Sequence, residues 1–449
     1  MDKTLNREIL RLSLPSILAN LSVPLVGFVD TAVAGHLPAQ GAWGAAAFIG
    51  AISVGAMLFN LIYWNFGFLR TGTGGLTAQA FGRGDMRECA AICARALSLA
   101  AVAAVLVLAL QIPFMKLALL CVSASPEVEE LSRQYFLIRI WAAPATLSLM
   151  AFSGWFVGMQ DSVSSMWKDL VVGGMNIVAS VSLAFGAGLG FRGVAWGTVI
   201  AQYSGLLYCV LVCVFKYRVK VFSHLRLDDL WKSLKGNELR GFFKMNADLF
   251  GRSLFFTFIY IGYTLIAATF GDILLACSSI MMQMLMIFSY FTDGFAYAAE
   301  ALTGRFIGAG DRQMMRRSVK YTFVWSMSIA VLFIGVYALL GTPLLRLLTD
   351  DSTVVESCRE FLPWLALMPP LGCAAFTWDG VYLGATDARG IRNAMAGAAL
   401  SFFGVWFAGR LFPGFGGMHL LLAAYFAHLA FRTVYLSIRY PKAILKGRG

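Results

Sequence analysis

An all-α polytopic membrane protein, with twelve transmembrane helices in two six-helix lobes, is the fold class that three observations predict. Of 449 residues, 59% are hydrophobic and only 13% charged, against roughly 45–50% and about 25% in soluble domains. Mean hydropathy is +0.72, more apolar surface than one compact core can bury, so lipid is the natural solvent. Lys and Arg gather in alternate connections, and two separated motifs recur at a single offset near half the chain length.

A helix needs about 20 apolar residues to cross a bilayer. The basic tail "MDKTLNREILRLSLP" shows no cleavable-signal pattern and runs straight into the first such stretch, 13–35. The stretches 43–69, 90–112, 134–156, 164–188 and 193–215 follow and close the first half. After a charged linker, 216–243, come 244–269, 274–299, 318–341, 357–382, 392–411 and 418–438. The basic segments are 3–11, 83–95, 216–244, 305–320, 389–392 and 439–448, whereas 36–44 and 268–272 contain no Lys or Arg. That alternation is the positive-inside pattern. It places both termini in the cytoplasm, with a bacterial-type inner membrane as the expected location.

The halves align on each other. "LTAQAFGRGD" (76–85) matches "LTGRFIGAGD" (302–311), and "GWFVGMQD" (154–161) matches "GVYLGATD" (380–387), both at a shift of 226; Pro144 falls on Pro370. Six spans per copy is an even number, so both copies face the same way. They are expected to be related by a pseudo-two-fold axis along the membrane normal, with lobes 1–215 and 244–449. Such an architecture belongs to transporters.

The net charge of +12 does not signal nucleic acid, because no basic stripe is interleaved with exposed aromatics. Eight cysteines form no CxxC and no metal-ligand spacing; Cys89/Cys93 and Cys209/Cys213 are i,i+4 pairs read as buried thiols. Cys121 and Cys358 are the two near outer loops that a bridge would join. With four scattered histidines there is no catalytic or metal constellation, so neither an enzyme nor a cofactor is expected. The expected partners are small-molecule substrates and the bilayer, and the expected state is a monomer.

"GFVDTAVAG" (27–35) carries the oddest residue. Asp30 follows Ser13–Phe28, which hold no charge, and the next ionisable side chain is His36. An intramembrane acid is by default a functional-site hypothesis, although an acid near a helix end can also snorkel to the interface.

Three stretches closely resemble the multidrug and toxin extrusion (MATE) transporters, in their DinF-type branch: "LSLPSILANLSVPLVGFVDTAVAGHL" (12–37), "FGFLRTGTGGLTAQAFG" (66–82) and "DGFAYAAEALTG" (293–304). The resemblance covers essentially the whole chain. Where the major-facilitator loop signature would stand, "FGRGDMRE" appears instead. The resemblance implies two six-helix lobes forming a V, and cation-coupled efflux of organic, often aromatic and cationic, compounds by alternating access. It assigns ion coupling to the acid of the first helix, Asp30, with the proton as coupling ion and sodium as the alternative. In the family, an Asn followed four residues later by Asp completes the N-lobe pocket; Asn176 is present here, but Ser180 replaces the second acid. Thr198 matches another polar position of that pocket. A lipid or lipid-linked sugar flippase of the same superfamily is the alternative function, for which Arg70 and Arg139 are the candidate cavity cations.

Other polar and soft residues are weaker candidates. Asn176 and Ser180 share one helix face and serve equally as interhelical glue. At the 226 shift Asp30 falls on Phe256, so the coupling acid is confined to the first half. Met281, Met282, Met284 and Met286 offer either a deformable wall for aromatic ligands or lipid-facing filler. Asp293, Glu300 and Asp379 lie toward cytoplasmic helix ends and, with Arg70, form a candidate cytoplasmic gate or polar site of the second lobe. Asp248 and Arg252, at i,i+4, are expected to neutralise each other.

Overall fold

The computed structural model describes residues 3–39, 43–120, 124–224, 237–349, 351–411 and 417–445. All of its long elements are α-helices, and each of the twelve apolar stretches falls on one or two of them. They are α1 Lys3–Gly35, α2 Ala45–Asn65, α3 Phe68–Gly82, α4 Met86–Ala109, α5 Gln111–Leu120, α6 Pro126–Arg139, α7 Ala143–Gly158, α8 Ser162–Val181 and α9 Phe191–Val212. The second half continues with α10 Asn237–Ala268, α11 Asp272–Gly308, α12 Arg312–Leu348, α13 Ser352–Arg359, α14 Leu362–Gly384, α15 Ala388–Gly409 and α16 Gly417–Tyr440. Among the described residues, ten helical segments are long and apolar enough to cross a membrane, or eleven with α13 and α14 as one span bent by 60°. The remaining expected span is α15, a 22-residue helix whose first turns carry Arg389, Arg392 and Asn393.

Prolines stand at two of the places where a span breaks. Pro144 sits in the first turn of α7, where a 3-10 turn, Ile140–Ala142, joins it to α6; proline lacks the N–H and is tolerated at a helix start. Pro363 does the same after the bend into α14. Cys121 lies outside the described residues; Cys358 is a buried thiol.

Two compact units emerge. One is Leu18–Phe242; the other combines Met1–Ile17 with Phe243–Gly449. The first unit is built on aromatic clusters: Phe59 stacks on Phe136 at 5.1 Å, and Trp155 donates its indole N–H to the Cys89 carbonyl at 2.8 Å. In the second, Phe288, Phe333 and Tyr337 form an edge-to-face series. The start of α1 joins this unit through Glu8 with Arg305, 2.7 Å apart, and through Trp325 Nε1 donating to Asn6 Oδ1 at 3.0 Å.

Each unit repeats the other's internal joints at the 226 shift. Asp85 caps α4 by accepting from Glu88 N at 2.9 Å, and Asp311 caps α12 by accepting from Met314 N at 2.9 Å. Asp161 and Asp387 cap α8 and α15 in the same way, at 3.2 and 3.1 Å. Gly154 faces the Arg70 carbonyl and Gly158 faces the Gly74 carbonyl and Thr77; Gly380 faces the Ala296 carbonyl and Gly384 faces the Glu300 carbonyl and Thr303. A Cβ at any of the four would overlap backbone. The crossings of α7 on α3 and of α14 on α11 are therefore small-xxx-small joints, the motif that lets membrane helices approach closely.

Candidate functional site: a buried acid and its neutral donors

Glycines bring the site together in the first unit. A Cβ on Gly193 would lie 2.6 Å from the Ala184 N, and one on Gly197 would lie 2.5 Å from the Ser180 N. With no side chain at either position, α9 rests directly on the end of α8, and Thr198 comes beside Asn176 and Ser180. Asp30 of α1 faces them. It is 3% exposed, while Asn176, Ser180 and Thr198 are 0–2% exposed.

The hydrogen bonds form a short chain. Ser180 Oγ donates to Asp30 Oδ1 at 3.3 Å, Thr198 Oγ1 donates to Asp30 Oδ2 at 3.4 Å, and Asn176 Nδ2 donates to Thr198 Oγ1 at 3.1 Å. Both contacts to the carboxylate are long beside the usual O–H···O separation of about 2.7–2.8 Å. Asn176 Oδ1 is buried and accepts no hydrogen bond among the described residues. Asp30 makes no ion pair among them. The acid's direct hydrogen-bond partners are therefore neutral groups that can turn.

One charged neighbour joins the four residues expected from the sequence. Arg139, at the end of α6, acts electrostatically on Asp30 and on Tyr135. Its Nη1 donates to Tyr135 Oη at 3.0 Å, and its guanidinium lies 4.7 Å from the Phe59 ring centroid. The sequence signal was available: a cation within a predicted span is as much a functional hypothesis as an acid. Sequence reasoning weighed Arg139 only as a cavity cation for a flippase.

The second unit holds a different cluster, and one expectation is corrected there. Asp248 and Arg252 do not neutralise each other. Arg252 donates to Asp379 Oδ2 at 2.5 Å, and Arg432 of α16 donates to the same oxygen at 2.6 Å. Asp248 instead receives Arg392 at 2.5 Å. The i,i+4 spacing allowed a local pair, but α14 and α15 each bring a better-placed partner to α10.

The remaining candidates differ in burial. Met281 and Met284 are packed into the apolar core beside Phe288, Met282 lies against that core, and Met286 is 39% exposed. Arg70 and Asp293 are half-buried, and Glu300 is fully buried within α11.

Comparison with known proteins decides the lineage. The profile of the MatE family matches residues 15–181 and 249–409, one match in each half. DNA damage-inducible protein F of Escherichia coli (strain K12) is 34% identical over 397 residues, covering 88% of this chain and 84% of that protein. The chain belongs to the MatE family. Human multidrug and toxin extrusion protein 1 is 21% identical over 404 residues, with 90% and 68% coverage. A solved structure described as the outward-facing conformation of a multidrug resistance MATE family transporter superposes with a TM-score of 0.85 at 17% identity, covering 99% of this chain and 97% of that one. The DinF-type resemblance, the all-helical fold and the two-fold internal duplication thus stand together. As a MATE-family member the chain is a multi-pass membrane transporter and not an enzyme.

Proposed function

We propose that this chain is a proton-coupled efflux antiporter exporting organic compounds, aromatic and cationic, by alternating access, with Asp30 as the coupling group. The observation that carries the reading is a buried carboxylate whose hydrogen-bond partners are hydroxyls. A hydroxyl donates to a carboxylate, and after rotation it accepts from a carboxylic acid. Ser180 and Thr198 can therefore serve both protonation states of Asp30, whereas a close ion pair would favour the ionised one alone. Because Ser180 stands where many relatives carry a second acid, one proton per cycle is the simplest stoichiometry for this pocket. The basic clusters support cytoplasmic termini, in a bacterial inner membrane, and the reading needs one copy of the chain.

The test is transport by the full-length protein in proteoliposomes, with a cationic aromatic dye as probe. An imposed pH gradient should drive dye movement, and Asp30→Asn should abolish it while the protein still folds and inserts. A sodium gradient that drives the dye at constant pH would replace the proton as coupling ion. Normal pH-driven transport by a well-folded Asp30→Asn protein would remove Asp30 from the mechanism.

A further inference from the structure

A buried arginine, Arg432, and a half-buried one, Arg252, share a single carboxylate oxygen in the second unit, Asp379 Oδ2. The side chains of Arg432, Asp379 and Arg252 are 2%, 8% and 23% exposed, so the cluster opens only on the Arg252 side. Asp379 Oδ1 is buried and accepts no hydrogen bond among the described residues, and Arg252 Nε donates none. A guanidinium has five N–H donors in a planar fork; of those on Arg432, one is engaged among the described residues. Its guanidinium carbon lies 5.7 Å from the Phe376 ring centroid.

The local charges leave an excess of one cation. The acid nearest in sequence, Asp248, is held by Arg392 at 2.5 Å and approached by Arg389 at 3.7 Å. His428, one turn before Arg432, is fully buried; its Nδ1 donates to the Tyr425 carbonyl, and a histidine carries no negative charge that could balance the arginines. The charges acting most strongly on Arg432 are Asp379 and Arg252 themselves. Buried charges are stable when paired and costly when not. Spare donors from two forks, an aromatic face and one excess positive charge together describe a receptor for an oxyanion on an aromatic body.

We propose that Arg252 and Arg432 form an anion-binding site in the second unit, which takes the carboxylate, sulfonate or phosphate of amphipathic aromatic acids and zwitterions as transport substrates. Asp379 is the internal counter-ion that such a group shares or displaces. Binding at this site stands by itself; that the bound compound is a substrate rests on the efflux reading above. The same oxyanion chemistry is present in lipid headgroups, so the test separates the two sources.

Naphthalene-2-sulfonate and 2-naphthylmethylammonium carry the same ring and opposite charge. Their affinities would be measured on the full-length protein in phosphatidylcholine nanodiscs. The sulfonate should bind more tightly than the ammonium, weaken at least tenfold in Arg252→Gln and Arg432→Gln, and tighten severalfold in Asp379→Asn, where its competitor is neutralised. Because Arg432→Gln removes a buried partner, Arg252→Gln and Asp379→Asn carry the test if that variant fails to fold; a misfolded protein does not gain affinity. Equal sulfonate affinity in wild type and Arg252→Gln would overturn the site, as would weaker binding in folded Asp379→Asn. Competition by phosphatidylglycerol would make a lipid headgroup the occupant and overturn the substrate assignment, as would sulfonate binding without pH-driven sulfonate export. Export that falls with affinity in Arg252→Gln would support it. If wild type exports neither probe, the efflux reading has failed, and the site is judged on binding alone.

Discussion

A single methyl group at Gly197 should disable the Asp30 pocket while every one of its polar residues stays in place in the sequence. In the native packing a Cβ at this position would lie 2.3 Å from the Ser180 Oγ, 2.5 Å from the Ser180 N and 2.6 Å from the Ser180 Cα. Ordinary contact requires about 3.4 Å or more, so the end of α8 and the face of α9 must separate by roughly 0.8 Å. The Ser180 and Thr198 contacts to Asp30 begin at 3.3 and 3.4 Å, already near the limit at which such bonds count. That separation breaks one or both. Overpacking of this kind costs about 1–3 kcal/mol of stability, and a misplacement of about 1 Å at a working site can cost on the order of a hundredfold in rate. Gly193→Ala is the control: its Cβ would lie 2.6 Å from the Ala184 N, an equally tight joint one turn away from the acid. The expected result is a similar loss of thermal stability in the two variants, with pH-driven dye transport falling at least tenfold further in Gly197→Ala. Equal transport in the two variants would mean that general packing, not pocket geometry, sets activity. Wild-type stability and transport in Gly197→Ala would refute the geometric argument outright.

Three further outcomes follow from particular contacts. With Ser180 in place of a second acid, Asp30 should titrate as one group and not as half of an interacting pair; infrared spectroscopy should show one carboxyl transition in this pocket, absent from Asp30→Asn. Asp85→Ala and Asp311→Ala each remove a helix N-cap bond of 2.9 Å, so each should lower stability by about 1 kcal/mol, seen as a matched fall in melting temperature. Tyr337→Phe removes a 2.7 Å bond to the Met284 carbonyl in the second unit's core. It should cost about 1 kcal/mol and leave dye transport intact; a transport defect at unchanged stability would give Met284 a role beyond packing.

What was legible in the sequence was whatever depends on composition along one helix or on self-similarity. Hydropathy located the spans because burial in lipid is a property of each segment by itself. The 226 shift read from two motifs reappears as four matched glycine contacts and two matched pairs of aspartate caps. Asp30, Asn176, Ser180 and Thr198 lie together in the structure, but it was the family resemblance, not composition or spacing, that grouped them. Less legible was whatever depends on which helix approaches which. Asp379 meets Arg252 from 127 residues away, and no local spacing announces it. The short helix α5 was also unforeseen: ten residues after α4, Gln111 and Lys116 among them, are too few to read as a span. Arg139 was visible as a cation within a span, but its closeness to Asp30 and Phe59 comes from helix packing that no local spacing announces.

The duplication also shows how the two copies came to differ. At the 226 shift Asn176 falls on Phe402, Ser180 on Trp406 and Thr198 on Ala424, three residues of the second unit's apolar core. In the other direction Arg252 falls on Val26, Asp379 on Ser153 and Arg432 on Leu206. Every polar member of one cluster thus has an apolar or small neutral counterpart in the other copy. The helix joints did not diverge in this way: the capping aspartates and the crossing glycines are retained at all the matched positions. A backbone held by caps and glycine crossings tolerates such exchange, since those joints do not depend on the side chains facing the interior. An acid among hydroxyls is suited to a proton, and a paired arginine fork with a spare charge is suited to an anion. Neither copy carries the other's cluster at the matched positions, and if Asp30 couples transport as proposed, the position equivalent to it, Phe256, holds no acid to compensate for its loss.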